Sequence, residues 1–421
     1  MKPKLKTLKN GLRVLLLPME ETAVVTTMVL VGAGSENETK EVNGVAHFLE
    51  HMCFKGTKKR PSAKDITSEL DSLGAETNAF TGRRYTGYWT KGDARHVNTF
   101  LDIVADIYLN STLPETEITK EKGVVIEEIN MYDDMPQAKV DDVFTTLMYT
   151  DSAQGRTILG TKGSVAGLTQ EDLSAFRKKH YTANNTILVV SGKFDTKAVV
   201  KEIERLFATV PAEGSHQTPK IERPKSVAKI AIEYKKSEQT HLILGAAGLA
   251  KTHKDHATQR VLMTILGGSM SSRLFQKLRD EMGACYYVHA APSAYTNYGY
   301  VEIAAGIPAR RLEEVVAVVR AEIENLKDAL VEAPELKKAK QYLAGTFLNG
   351  LETSQEYGNF YGAQTIVGLD IKTPKQYIQE LQAVSAQDIK RVAKKLFADG
   401  ALRLALVGPV KYSRRLEEMI S

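Results

Sequence analysis

The chain has 421 residues, 43% of them hydrophobic and 25% charged, with a formal net charge of +5 at pH 7. That length exceeds one ordinary core and predicts two domains, with the composition of a globular enzyme rather than a disordered or fibrous chain. The small basic excess, interleaved with acidic residues, argues against a nucleic-acid partner, and without an uninterrupted apolar run of about 18 residues no membrane span is expected. Cys53 and Cys285, the two cysteines, cannot build a disulfide framework. They fit a reducing compartment, and the cytoplasm is the expected location.

In chain order, Asn10-Gly11 predicts a turn, followed by strands over residues 12–18 and 23–31, where apolar and β-branched residues concentrate. A helix is expected at 42–54 and a second at 62–73, with Ser62 as its N-cap after Pro61 and Gly74 as its stop. Strands at 76–81 and 85–90 flank a turn at Gly82. Three or four helices then run to His180, before a strand at 186–190 and a helix at 196–207.

The second half repeats this order. Residues 228–234 and 240–245 read as paired strands, followed by helices at 254–266 and 273–282 and strands at 285–290 and 299–304. Long helices are expected at 310–326, 335–351 and 386–397, then a strand at 402–407 and a short last helix. Val29-Leu30-Val31-Gly32 is echoed by Leu242-Ile243-Leu244-Gly245, and Val189-Val190-Ser191-Gly192 by Leu406-Val407-Gly408. Both echoes are offset by roughly 215 positions, which indicates an internal duplication. Pro211, Pro219 and Pro224 lie among polar residues between the halves and mark a linker. The expected division is therefore 1–210, a linker at 211–229, and 230–421.

The chemistry concentrates in His47-Phe48-Leu49-Glu50-His51, inside the first expected helix. Histidines four apart stack on one helical face, one turn apart, and can share a tetrahedral zinc ion. Glu50 projects from nearly the same face, near enough to act on a metal-bound water without ligating. A catalytic zinc wants a third protein ligand, and the acidic stretch near residues 120–134 offers Glu121, Glu127 and Glu128. Glu121 and Glu128 share a face, being seven apart, while Glu127 points about a hundred degrees away. Spacing alone leaves both Glu127 and Glu128 open. Cys53 lies off the histidine face and reads as a small buried residue; His253 and His256 are three apart but have no third ligand nearby in sequence, and the other histidines show no ligand spacing.

The stretch Asn43-Gly44-Val45-Ala46-His47-Phe48-Leu49-Glu50-His51-Met52-Cys53-Phe54-Lys55-Gly56-Thr57 resembles the signature of the inverted-motif zinc peptidases. That family includes pitrilysin, insulin-degrading enzyme and the mitochondrial processing peptidase. The resemblance spans essentially the whole chain, in the family's short two-domain branch. It implies an α+β fold of two similar tandem domains, each a mainly antiparallel sheet packed with helices. Glu121-Lys122-Gly123-Val124-Val125-Ile126-Glu127-Glu128-Ile129 matches the family's second metal segment. By that match, His47, His51 and Glu128 hold one Zn2+ per chain, Glu50 is the general base, and Glu121 orients a ligand.

Ser272-Arg273-Leu274-Phe275, on through Arg279 to Gly283-Ala284-Cys285-Tyr286, is similar to the family's arginine–tyrosine element. The resemblance makes Arg279 and Tyr286 the groups that bind the scissile carbonyl. Gly74 to Thr81 resembles the edge strand that pairs with the substrate backbone, through Asn78, Ala79, Phe80 and Thr81. Arg84 departs from the pattern, which has an acidic residue there. The resemblance further implies that two copies, or one copy and a homologous subunit, close a half-shell each around a chamber for peptides or unfolded precursors. The alternatives are a non-proteolytic scaffold or peptide-binding subunit of the same fold and, more remotely, a metal-dependent hydrolase of non-peptide substrates. The edge strand speaks against the second.

Overall fold

The structure is a computed structural model that describes residues 3–212 and 228–421. Residues 213–227, the greater part of the expected linker, lie outside the described residues. The chain forms two compact units, both discontinuous. The first takes the chain up to Ile129, the stretch from Thr157 to the end of the first half, and Gly350–Thr373. The second takes Asn130–Arg156, the second half up to Asn349, and Pro374–Ser421. The spans 1–210 and 230–421 do not express this exchange of segments.

The first unit holds strands β1 (Lys4–Thr7), β2 (Arg13–Pro18), β3 (Val24–Val31), β4 (Glu76–Thr81), β5 (Thr86–Asp93) and β6 (Thr186–Gly192). Their order in the sheet is β1-β2-β6-β3-β5-β4. The pair β2–β6 is parallel and the other pairs are antiparallel. The apolar run in β2 follows from burial on both faces. Val14 and Leu16 enter the core shared with the histidine helix. Leu15 and Leu17 enter the one beneath Tyr361 and Ile366. Those two residues belong to the helix Ser354–Ile366, which the second half of the sequence lends to this sheet.

The second unit repeats the plan with β7 (Ile230–Tyr234), β8 (Thr240–Ala247), β9 (Tyr287–Ala294), β10 (Gly299–Ile307) and β11 (Arg403–Gly408), in the order β7-β11-β8-β10-β9. This is the arrangement of β2-β6-β3-β5-β4, including the parallel pair, here β7–β11. The helix Pro136–Tyr149, from the first half of the sequence, covers β11, β8 and β7. The fold is α+β and the duplication extends to topology. Two glycines mark the equivalence. Gly192 and Gly408 end β6 and β11 with φ of 118° and 155°. A Cβ at Gly192 would lie 2.3 Å from the Val24 carbonyl oxygen, and one at Gly408 2.8 Å from Thr240 Cα, each at the start of the neighbouring strand. Only a residue without a side chain permits that approach.

Three expectations need correction. The strands at 228–234 and 240–245 are not partners, because β11 lies between them. Its residues are buried from Leu404 onward, with Leu404 and Leu406 in one core and Ala405 and Val407 in another, so it takes a central place over a local hairpin. Between β5 and His180 there are five helices, not three or four: Val97–Asn110, Glu115–Asp134, Pro136–Tyr149, Lys162–Gly167 and Gln170–His180. Two helices were not expected at all, Ser354–Ile366 and Pro374–Ala383. The first of these carries no apolar stripe to read; it lies flat on the sheet through Gly358 and Gly362, close to Val189 and Leu30.

Candidate metal centre

The histidine helix runs Val45–Cys53. Its start is secured by a carboxylate from outside the helix. Glu38 Oε2 accepts the Gly44 N–H at 2.8 Å and the Asn43 amide at 2.8 Å, and Oε1 accepts the Ala46 N–H at 2.9 Å. A buried carboxylate at a helix N-terminus satisfies donors that would otherwise be orphaned and complements the helix dipole. Phe48, Leu49 and Met52 are fully buried in the core of the unit, which turns His47 and His51 toward the helix Glu115–Asp134.

His47 Nε2 lies 3.7 Å and His51 Nε2 3.8 Å from Glu128 Oε2. The imidazole centroids are 4.6 Å apart. One donor atom from each of the three residues lies within 4.8 Å of the other two, the one such group among the described residues. Donors about 2 Å from a tetrahedral ion sit about 3.4 Å from each other, so the set fits a zinc-sized cation. Of the two glutamates that spacing left open, Glu128 lies in the group, whereas Glu127 is exposed and outside it.

Protonation fits the same use. Burial pulls the His47 pKa down to about 4, helped by the charge of His51 and opposed by Glu121, so its imidazole is neutral at pH 7. Burial also lowers His51, but the hydrogen bond with Glu121 and the charges of Glu50, Glu121 and Glu128 outweigh it and raise the pKa. His51 Nδ1 is 2.8 Å from Glu121 Oε1, and Glu121 Oε2 is 2.6 Å from Lys55 Nζ. Burial alone would raise Glu121, yet its bonds to His51 and Lys55 hold it below its ordinary value. A carboxylate on Nδ1 fixes the tautomer that leaves Nε2 as the lone-pair donor. Glu128 is raised by burial, partly countered by His51. Glu50 is also raised by burial, against the Thr81 hydrogen bond and the charge of His51. Two carboxyls pushed toward neutrality beside two imidazoles make a basin that a divalent cation would relieve.

Strand β4 forms one edge of the sheet, with β5 its sole strand partner among the described residues. Asn78, Ala79, Phe80 and Thr81 are its last four residues, and Thr81 Oγ1 donates to Glu50 Oε2 at 2.5 Å. Arg84 is turned into the protein, where its guanidinium meets Glu36 Oε2 at 2.8 Å.

In the second unit, Arg279 and Tyr286 are neighbours: the guanidinium carbon lies 5.6 Å from the Tyr286 ring centroid and 5.0 Å from that of Phe275. Arg279 sits on a π-helical segment, Phe275–Glu281, and Met282 N–H reaches back five residues to the Lys277 carbonyl. Such wide turns are frequent at functional sites. Tyr286 immediately precedes β9 and is 76% exposed. Sequence reasoning missed Glu38, Lys55 and the Thr81 hydroxyl. Lys55 had a signal, four residues after His51, whereas Glu38 had none.

Comparison with known proteins agrees with this architecture. The insulinase family profile (peptidase family M16) matches residues 13–162, and the profile called the peptidase M16 inactive domain matches 167–343. An uncharacterized zinc protease of Bacillus subtilis is 34% identical over 96% of this chain and 97% of its own. One from Streptomyces coelicolor is 31% identical, covering 96% and 89%. A protease from Helicobacter pylori of known crystal structure superposes with a TM-score of 0.90 at 26% identity, covering 97% of this chain and 99% of that one. A peptidase M16 inactive domain from Pseudomonas fluorescens shares the fold, with a TM-score of 0.89 at 19% identity, covering 98% and 99%.

Proposed function

The chain belongs to the insulinase family, peptidase family M16, and from that premise we propose that it is a zinc-dependent endopeptidase acting on peptides or unfolded precursor segments. The observation that carries this reading is the convergence of His47, His51 and Glu128 beside the Glu50 carboxylate. Those three residues would hold one Zn2+ per chain, which when bound polarises a carbonyl and lowers the pKa of water.

The chain's own groups do the rest. Glu50 takes a proton from the attacking water and delivers it to the leaving amine, a role worth about a hundred- to ten-thousandfold. Its burial favours the protonated form, which suits a base that must hold the proton between the two transfers. Glu121 keeps His51 in its working tautomer. The free edge of β4 receives the peptide main chain, so sequence tolerance follows from backbone pairing. Arg279 and Tyr286 donate to the carbonyl oxygen as it gains charge. Following the pairing that the family resemblance implies, we place Arg279 and Tyr286 of one copy opposite the metal half of its partner, an identical or homologous chain, across a peptide chamber.

Hydrolysis of quenched peptides by the full chain, with and without chelator, tests the reading alongside metal analysis. Glu50→Gln should retain metal and fold and lose cleavage by at least about a hundredfold. A wild-type chain that binds no zinc and cleaves nothing would favour the scaffold instead.

A further inference from the structure

Strand β4 does more than present an edge. It ends at Thr81, whose hydroxyl donates to Glu50 Oε2 at 2.5 Å. A carboxylate general base has two oxygens and free rotation about its last bond. Tying one oxygen leaves the other, Oε1, aimed at a fixed place.

Thr81 itself is held from two sides. Within the sheet it stands opposite Thr86 of β5. Beyond it, the turn at Gly82 and Arg83 is fastened to the segment 34–36: Ser35 N–H donates to the Gly82 carbonyl at 3.2 Å, and Glu36 N–H to the Arg83 carbonyl at 3.0 Å. A Cβ at Gly34 would lie 2.1 Å from the Gly82 oxygen, so the two backbones are in direct contact. Arg84 Nη1 meets Glu36 Oε2 at 2.8 Å, both side chains being buried at 9% and 0% exposure. The strand end is therefore one of the more rigid points near the site, and the hydroxyl transmits that rigidity to a carboxylate on another element.

We propose that Thr81 is a positioning residue, holding the Glu50 carboxylate in its proton-accepting orientation and coupling the base to the strand on which the peptide is laid. The inference rests on the peptidase reading above. Substrate binds through the main chain of β4, whereas the hydroxyl acts on the base alone. Removing the hydroxyl thus lowers turnover and leaves peptide affinity intact. Misorienting a reacting group costs roughly ten- to a hundredfold in rate.

The test uses the full zinc-loaded chain carrying Thr81→Val, which keeps shape without a donor, and Thr81→Ser, which keeps the donor; Thr81→Ala replaces the valine variant should that one misfold. The valine variant should lose roughly ten- to a hundredfold in kcat with KM within about twofold, and the serine variant should recover most of the loss. In the Glu50→Gln background, adding Thr81→Val should leave peptide affinity by fluorescence anisotropy unchanged. A crystal structure of the valine variant should show the Glu50 carboxylate rotated away. Wild-type kcat in the valine variant, failure of serine to rescue, lost peptide affinity, or an unmoved carboxylate would each overturn the proposal. A wild-type chain without metal-dependent cleavage would sink both readings; an active wild type with a dead Glu50→Gln and an unaffected Thr81→Val would sink this one alone.

Discussion

His51 gives its two ring nitrogens to two carboxylates of one helix: Nδ1 lies 2.8 Å from Glu121 Oε1, while Nε2 lies 3.8 Å from Glu128 Oε2. The two glutamates are seven residues apart, two helical turns, and the imidazole bridges that interval. One carboxylate bonds the ring and the other completes the candidate metal group.

Glu121→Gln should therefore weaken zinc binding by about ten- to a hundredfold, because a neutral amide holds the Nδ1 proton more weakly than a carboxylate and no longer balances Lys55. Chelator competition on the folded chain measures this directly. Unchanged affinity would mean that the 2.8 Å contact does not tune the ligand.

His180 predicts an acid limb of stability. It is 3% exposed and packs against Phe176 with the two tilted rings' centroids 4.5 Å apart, and neither ring nitrogen has a hydrogen-bond partner among the described residues. Burial, then the charge of Lys179, holds its pKa down at about 4. An unfolded histidine titrates near 6.5, so between those values the unfolded chain binds the extra proton and stability falls as pH falls. The loss between pH 7 and 5 should be about 2 kcal/mol for this residue. Denaturant titrations of chelated protein at the two pH values, repeated with His180→Phe, should show a shallower fall in the variant; equal slopes would count against it. His47, also near 4, supplies a second such limb when no metal is bound.

The pairing of subunits has its own experiment. Glu50→Gln and Arg279→Ala chains, each inactive, are mixed and allowed to exchange. One site of a mixed pair would carry both lesions and the other neither, so about half of the per-pair activity should return in hetero-pairs. Proven exchange without recovery would put Arg279 and Glu50 in the same chain's site.

Much of the candidate metal centre was legible because α-helical periodicity is local. Once residues 45–53 are helical, backbone hydrogen bonds fix His47 and His51 on one face with Glu50 beside them, whatever surrounds the helix. The same holds for Glu121 and Glu128, and for strands whose apolar runs are short and bounded. The echo between the halves was readable for a similar reason, since a repeated element order is written in the residues themselves.

The tertiary structure decided what depends on two distant segments meeting. Glu128 rather than Glu127 faces the histidines because of how one helix lies against another, a matter of core packing that spacing leaves open. The insertion of β11 between β7 and β8, and the loan of Ser354–Ile366 to the first sheet, likewise reflect burial summed over many residues. The Thr81–Glu50 hydrogen bond belongs with them. Helical pitch set which side chains could act together within one turn, and long-range burial alone brought the partners that complete them.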